Sequence, residues 1–314
     1  MKQRMTDLGR AKGILFGLAI GDALGYPTEF VTLREIKARY GPQGISDLPE
    51  PALFSDDTQM TVAIAEALIE AGDQDIETLM ASVRKHFVGW LHSPENNRAP
   101  GRTCLQGVRN LEKGLHWSRS GIAESKGCGS AMRAATIGYF CQHHPERLRQ
   151  VAHATGICTH GHPTADAACI ATAYLVKLIL DGESPEVLID RMLKFTSGIS
   201  DEFDRAILKV RECLPLTDEE KALSCLGEGW VAEEAVTLAL YCFLRYPDDY
   251  RSAVLRGANT NGDSDTVACI AGALAGARVG TKGIPSGWIQ RIEKSRTLGA
   301  LATRIAAKRD SLQR

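Results

Sequence analysis

Two short acidic runs constrain this chain more than any other feature. Ser55-Asp56-Asp57-Thr58 and Gly262-Asp263-Ser264-Asp265-Thr266 each crowd carboxylates and hydroxyls into a few residues, and each opens a segment of helical apolar spacing. Such a cluster has two readings. In one, Ser55 or Asp263 caps the helix that follows and the next acids favour its positive end. In the other, the clusters meet around metal, because unpaired carboxylates brought together repel unless a cation or proton lies between them. The second reading constrains topology, since helix starts near opposite ends of the chain must converge. Carboxylate and hydroxyl oxygens without a dedicated Cys/His set suit a hard divalent cation such as Mg²⁺ or Mn²⁺.

Helical periodicity dominates elsewhere. Leu8 to Ala23 reads as a helix in which Gly13, Gly17 and Gly21 repeat every fourth residue, a small-residue row that predicts close helix approach. Helices are expected after Ser55, over Ile76 to Leu91 and Thr103 to Leu115, from Pro145 to Cys158, and from Thr164 onward. Further helices are expected over Ala232 to Tyr246, Val267 to Ala277 and Arg291 to Ile305. Residues 185–227 read as a peripheral helical region, residues 39–55 as a shaped Gly/Pro loop, and Ser93 to Arg102 as a mobile connection or a site rim. No βαβ or hairpin series appears, and no linker interrupts the apolar segments. The expectation is one all-α domain over residues 1–314, with the site at the ends of central helices.

Composition excludes some partners. With 37 Lys and Arg against 38 Asp and Glu, no tail or stripe predicts nucleic-acid binding, although a local groove is not excluded. Nine cysteines show no CxxC pair and read as small buried thiols in a reducing compartment. Met1 to Asp7 lacks a secretory-type apolar run, and Ala165 to Leu180 reads as a buried helix rather than a membrane span. A soluble cytoplasmic protein without membrane contact is expected. Its oligomeric state is not legible.

Four local features stay open on residue grounds alone. Glu29, exposed after the Gly25-Tyr26-Pro27 break, reads as solvated surface. Gly127-Cys128-Gly129-Ser130 reads equally as a tight packing turn or as backbone offered to phosphate. His160 and His162 lack further zinc-type ligands, so one of them lines a polar pocket or fixes its loop. Trp230 reads as a core or rim aromatic, with an adenine-sized ring as the other partner in reach.

In combination these segments resemble the ADP-ribosylglycohydrolase family, the group related to dinitrogenase reductase-activating glycohydrolase. The matching runs are GDALGYPTEF (Gly21 to Phe30), SDDT (Ser55 to Thr58), GCGSAMR (Gly127 to Arg133), Thr159-His160 and GDSDT (Gly262 to Thr266). The resemblance implies an orthogonal all-helical hydrolase with two divalent cations, Mg²⁺ or Mn²⁺, and a pocket for ADP-ribose. By this resemblance Ser55, Asp56, Asp57, Asp263, Asp265 and Thr266 are metal ligands, with Asp265 touching both ions. Glu29, Asp57 and Asp263 are the candidate catalytic groups. Gly127, Cys128, Gly129, Ser130, Met132 and His160 are the candidate substrate-binding residues. Cys128 departs from the pattern, since many relatives carry Asn there.

The implied reaction is hydrolysis at the anomeric carbon of an ADP-ribosyl group on a protein side chain, arginine first. Serine-linked or O-acetyl-ADP-ribose, modified nucleic acid and a catalytically silent ADP-ribose-binding protein are the alternatives. Acceptor choice is expected in residues 30–54 and 92–104.

Overall fold

In the computed structural model, which describes residues 6–312, one helix pair forms the axis of the molecule. Asp7–Gly25 and Ser264–Val279 run antiparallel and make its most extensive helix contact. The glycine row explains how. A Cβ added at Gly13, Gly17 or Gly21 would lie 2.3, 2.3 and 2.0 Å from the carbonyl oxygens of Gly276, Gly272 and Ala268. The facing helix is equally bare, because a Cβ at Gly272 or Gly276 would lie 2.1 Å from the Gly17 or Gly13 carbonyl. Each interior glycine costs a helix about 1 kcal/mol relative to alanine. Dispersion between two backbones in contact offsets that cost.

The row extends to Gly25, where a Cβ would meet Asp265 Cα at 2.4 Å. Antiparallel packing thus delivers the acidic start of one helix to the end of the other. Buried hydroxyls lock this junction: Thr28 Oγ1 contacts the Gly25 and Ala258 carbonyls at 2.8 Å and Ser264 Oγ at 2.9 Å. Ser264 is therefore spent on joining helices.

Other helices wrap the pair. Asp56–Ala71 lies beside both members and packs on Ile76–Leu91, while Ser295–Leu312 covers Asp7–Gly25. Pro163–Leu180 is, among the described residues, the one helix long and apolar enough to cross a membrane. Of its residues 78% are buried, as expected of a core element packed among neighbouring helices. A single apolar cluster extends from Ala11 to Ala306. The described residues contain isolated β-bridges and no strand, so the all-α expectation holds.

Some boundaries differ from expectation. Leu33–Tyr40 is a helix with a Thr32/Glu35 capping box inside a region read without one. Cys128–Ser130 is a single 3₁₀ turn, with the next helix delayed to Ala135–Phe140. The closing helix, expected over Arg291 to Ile305, begins only at Ser295 (Ser295–Leu312); Arg291 instead ends a separate short helix, Ser286–Arg291, and Lys294 between the two is in a left-handed conformation (φ +53°). The break has a structural use. It lets Glu293 accept from Phe54 N at 2.7 Å and pair with Arg98. Met1 to Met5, read above as lacking a leader-type run, lie outside the described residues.

Candidate metal and active site

Two helix N-termini converge on the first helix's C-terminal end, and six carboxyl groups meet there. Asp22 and Glu29 come from the first helix and its exit, Asp56 and Asp57 from one helix start, and Asp263 and Asp265 from the other. Converging N-termini favour negative charge through their unpaired N–H groups and dipoles. The acids form a graded set. Asp22, fully buried, accepts from Ser55 N at 2.8 Å, Thr58 N at 3.0 Å and Thr58 Oγ1 at 2.5 Å. It fastens the Asp56 helix to the first helix. Asp56 accepts from Gly101 N at 3.2 Å, and Asp265 from Thr266 N at 2.9 Å.

Asp57 differs: it is 2% exposed and its Oδ2 has no hydrogen-bond partner. Glu29, Asp263 and Asp265 each offer an oxygen within 4.8 Å of the others. Among the described residues, no ion pair joins a basic side chain to Glu29, Asp56, Asp57, Asp263 or Asp265. Burial, then repulsion from Asp265, pushes Asp22 up to about 7. The same causes, with Asp263 and Asp56 added, push Glu29 up to about 11. Burial foremost raises Asp56, Asp57 and Asp265 well above the carboxylate range, and raises Asp263 as well. In the absence of cations, this cluster is driven to take up protons.

An orphaned carboxylate oxygen, several acids at mutual repulsion distance and hydroxyls at their edge fit a hard divalent cation. Thr266 lines the cavity with these acids. Ser55 caps its helix by accepting from Asp57 N at 3.3 Å, and its hydroxyl also lowers the pKa of Asp265 by hydrogen bonding.

The cavity above the acids is about 480 Å³, within the range of small-molecule sites. Gly127, Cys128, Gly129, Met132 and His160 form one wall. A Cβ at Gly129 would meet Cys104 Sγ at 2.6 Å and His160 Cε1 at 2.9 Å, so only glycine lets this backbone sit where it does. Arg133, 1% exposed, pins the turn through Gly129 O at 2.6 Å, Thr155 O at 2.8 Å and Thr159 Oγ1 at 2.6 Å. His160 Nδ1 pairs with Thr159 Oγ1 at 2.8 Å, while burial and then Arg133 push the imidazole down to about 3. It is neutral at physiological pH. Its other ring nitrogen, Nε2, faces Gly127 and Gly129.

Cys128 places its thiol 2.8 Å from Asp263 Oδ2, donating to it, and accepts from Thr266 Oγ1 at 3.7 Å. Burial, then Asp263, raises this thiol well above its ordinary range, so it is protonated. Ser130 is placed apart from the cavity lining, its hydroxyl donating to the Ala165 carbonyl at 3.0 Å.

Ala99 to Cys104 form the opposite rim, and Phe30 and Trp230 close the mouth. Of the two segments expected to choose the acceptor, 92–104 lines the cavity through this rim, whereas 30–54 reaches it through Phe30. Asp22 and Arg133 were not read as site residues from sequence. A lone aspartate inside the otherwise apolar, glycine-rich stretch 13–25 was the available signal for Asp22.

The model of the ADP-ribosylglycohydrolase family matches residues 3–314. This chain belongs to the ADP-ribosylglycohydrolase family. An ADP-ribosyl-dinitrogen reductase glycohydrolase of Rhodospirillum rubrum is 30% identical over 90% of both chains. The ADP-ribosylarginine hydrolase Tri1 of Serratia proteamaculans is 27% identical, over 95% of this chain and 79% of that one. The human ADP-ribosylhydrolase ARH3 is 26% identical, over 91% and 90%. A solved structure described as an ADP-ribosylglycohydrolase-related protein complex superimposes with a TM-score of 0.72 at 26% identity, covering 96% of this chain and 98% of that one. As an ADP-ribosylglycohydrolase, the chain is a hydrolase of a family that acts on ADP-ribose conjugates, and it carries an acidic group suited to metal.

Proposed function

We propose that this protein removes ADP-ribose from a modified protein side chain, arginine first, by metal-dependent hydrolysis at the anomeric carbon. The observation that carries the reading is the buried acid cluster, in which Asp57 Oδ2 lacks any partner. Arginine is preferred because a relative's name specifies ADP-ribosylarginine. Asp56, Asp57, Asp263 and Asp265, with the Ser55 and Thr266 hydroxyls, would hold two divalent cations, Mg²⁺ or Mn²⁺. When bound, such cations supply Lewis acidity and positive charge at the ribose.

The chain's own groups do the rest. Glu29, which lines the cavity beside Asp263 and Asp265, donates a proton to the departing acceptor atom. Asp57 and Asp263 orient the attacking water and take its proton. Gly127, Cys128 and Gly129 admit the diphosphate against backbone, with Met132 as apolar wall and the neutral His160 imidazole beside them. Ser130 holds that turn from behind. Nine unpaired thiols fit a reducing interior, and we place the protein in the cytoplasm.

The test is release of free ADP-ribose from an arginine-ADP-ribosylated protein, with Mg²⁺, Mn²⁺ and EDTA arms. The expected result is release in both metal arms and none in EDTA. Equal release in EDTA would contradict the metal role, and release from serine-linked or O-acetyl conjugates alone would move the acceptor.

A further inference from the structure

The proposed chemistry leaves the cavity mouth without a purpose. Phe30 and Trp230 stack there with centroids 5.1 Å apart and planes inclined by 24°. Both line the cavity beside Glu29, Asp263 and Asp265, yet Phe30 is 67% and Trp230 37% exposed. Phe30 also holds φ at +63°, a conformation disfavoured for any residue with a Cβ. An aromatic residue both exposed and strained contributes little to folding, and such outliers concentrate where a ligand is gripped.

Backbone ties register the rings to the carboxylates. Phe30 N donates to Gly262 O at 3.0 Å, and Gly262 N to Val31 O at 3.4 Å. On the other side Asp263 N donates to Glu228 O at 2.8 Å. A Cβ at Gly262 (φ +78°) would meet Glu228 O at 2.4 Å and the Trp230 indole nitrogen at 2.9 Å. The loop that carries Asp263 is therefore gripped between the Phe30 and Trp230 segments.

We infer that Phe30 and Trp230 form the acceptor subsite, stacking the planar guanidinium of an ADP-ribosylated arginine. This inference rests on the function proposed above and adds the residues that choose its acceptor. The group released is bonded directly to the anomeric carbon, so it must lie next to the acids, and Phe30 is the chain neighbour of Glu29. Adenine lies at the other end of an ADP-ribosyl group. Ring faces attract a planar cation and offer no comparable gain to a neutral alcohol or acyl group.

The metal-loaded protein is assayed for kcat/KM on an ADP-ribosylarginine peptide and on a serine-linked peptide. Wild type is compared with Trp230→Ala, Trp230→Phe and Phe30→Leu, and the affinity for free ADP-ribose is measured alongside. The ratio of arginine to serine kcat/KM should fall about tenfold in Trp230→Ala and about two- to threefold in Trp230→Phe. Should Trp230→Ala fail to fold, Phe30→Leu carries the same ratio test. An unchanged ratio, or equal losses on both peptides together with weaker ADP-ribose binding, would overturn the assignment and move the rings to the adenosine end. A wild type that cleaves the serine-linked peptide alone overturns the assignment and leaves the hydrolase reading standing. Cleavage of neither overturns both.

Discussion

Glu29 and Asp22 differ from surface acids because burial and like charge raise both. Glu29→Gln removes the transferable proton with little change in shape. We expect cation binding to persist while the rate of ADP-ribose release falls at least about 100-fold. Metal binding by calorimetry and turnover on the same preparation check this, and wild-type values for both would remove Glu29 from the chemistry. Asp22 has its folded pKa near 7 against an ordinary value of 3.8. The folded state then holds a proton that the unfolded chain has released. Its contribution to cation-free stability is complete below about pH 4 and is lost as pH rises to about 7. The other raised acids act in the same direction. Denaturant titrations in EDTA should therefore show stability falling between these pH values. Stability that rises with pH across that window would contradict the account. Saturating Mg²⁺ should reverse or flatten the slope, because cations bind the deprotonated carboxylates and release protons.

At the scale of elements, the axial glycine row carries the site. Gly21→Ala forces a Cβ to within 2.0 Å of the Ala268 carbonyl, and backbone cannot yield as a side-chain tip would. Its strain outweighs the gain in helix propensity, and we expect a net loss of at least about 2 kcal/mol with weakened metal binding. Gly89 is the control. It is an exposed helical position with nothing within 4 Å of an added Cβ, so Gly89→Ala should stabilise by up to about 1 kcal/mol and leave metal binding alone. Thermal and denaturant unfolding of both variants check the pair. Equal effects from the two would show that the row is not a contact surface.

Over the whole molecule, much was legible because helical spacing and four-residue glycine repeats are local signals with a global consequence. The acidic runs announced a meeting point, and the structure brings their carboxylates together in one cavity. What escaped reading depends on long-range partners. Asp22 gains its place from Ser55 and Thr58, and Arg133 from Thr155 and Thr159. The Lys294 break is explained by Glu293 reaching Phe54 and Arg98, and no periodicity encodes that. The Leu33–Tyr40 helix was encoded locally by its Thr32/Glu35 capping box, a signal the surrounding Gly/Pro pattern masked.

The central claim is that the converged acids form a cation centre. Its most direct measurement is a titration of Mn²⁺ into chelator-stripped protein, counting ions bound by electron paramagnetic resonance. The account predicts two ions per chain for the wild type, and loss of at least one in Asp57→Asn and in Asp265→Asn with folding retained. Stoichiometric binding that both variants leave unchanged, or no binding by the folded wild type, would contradict it.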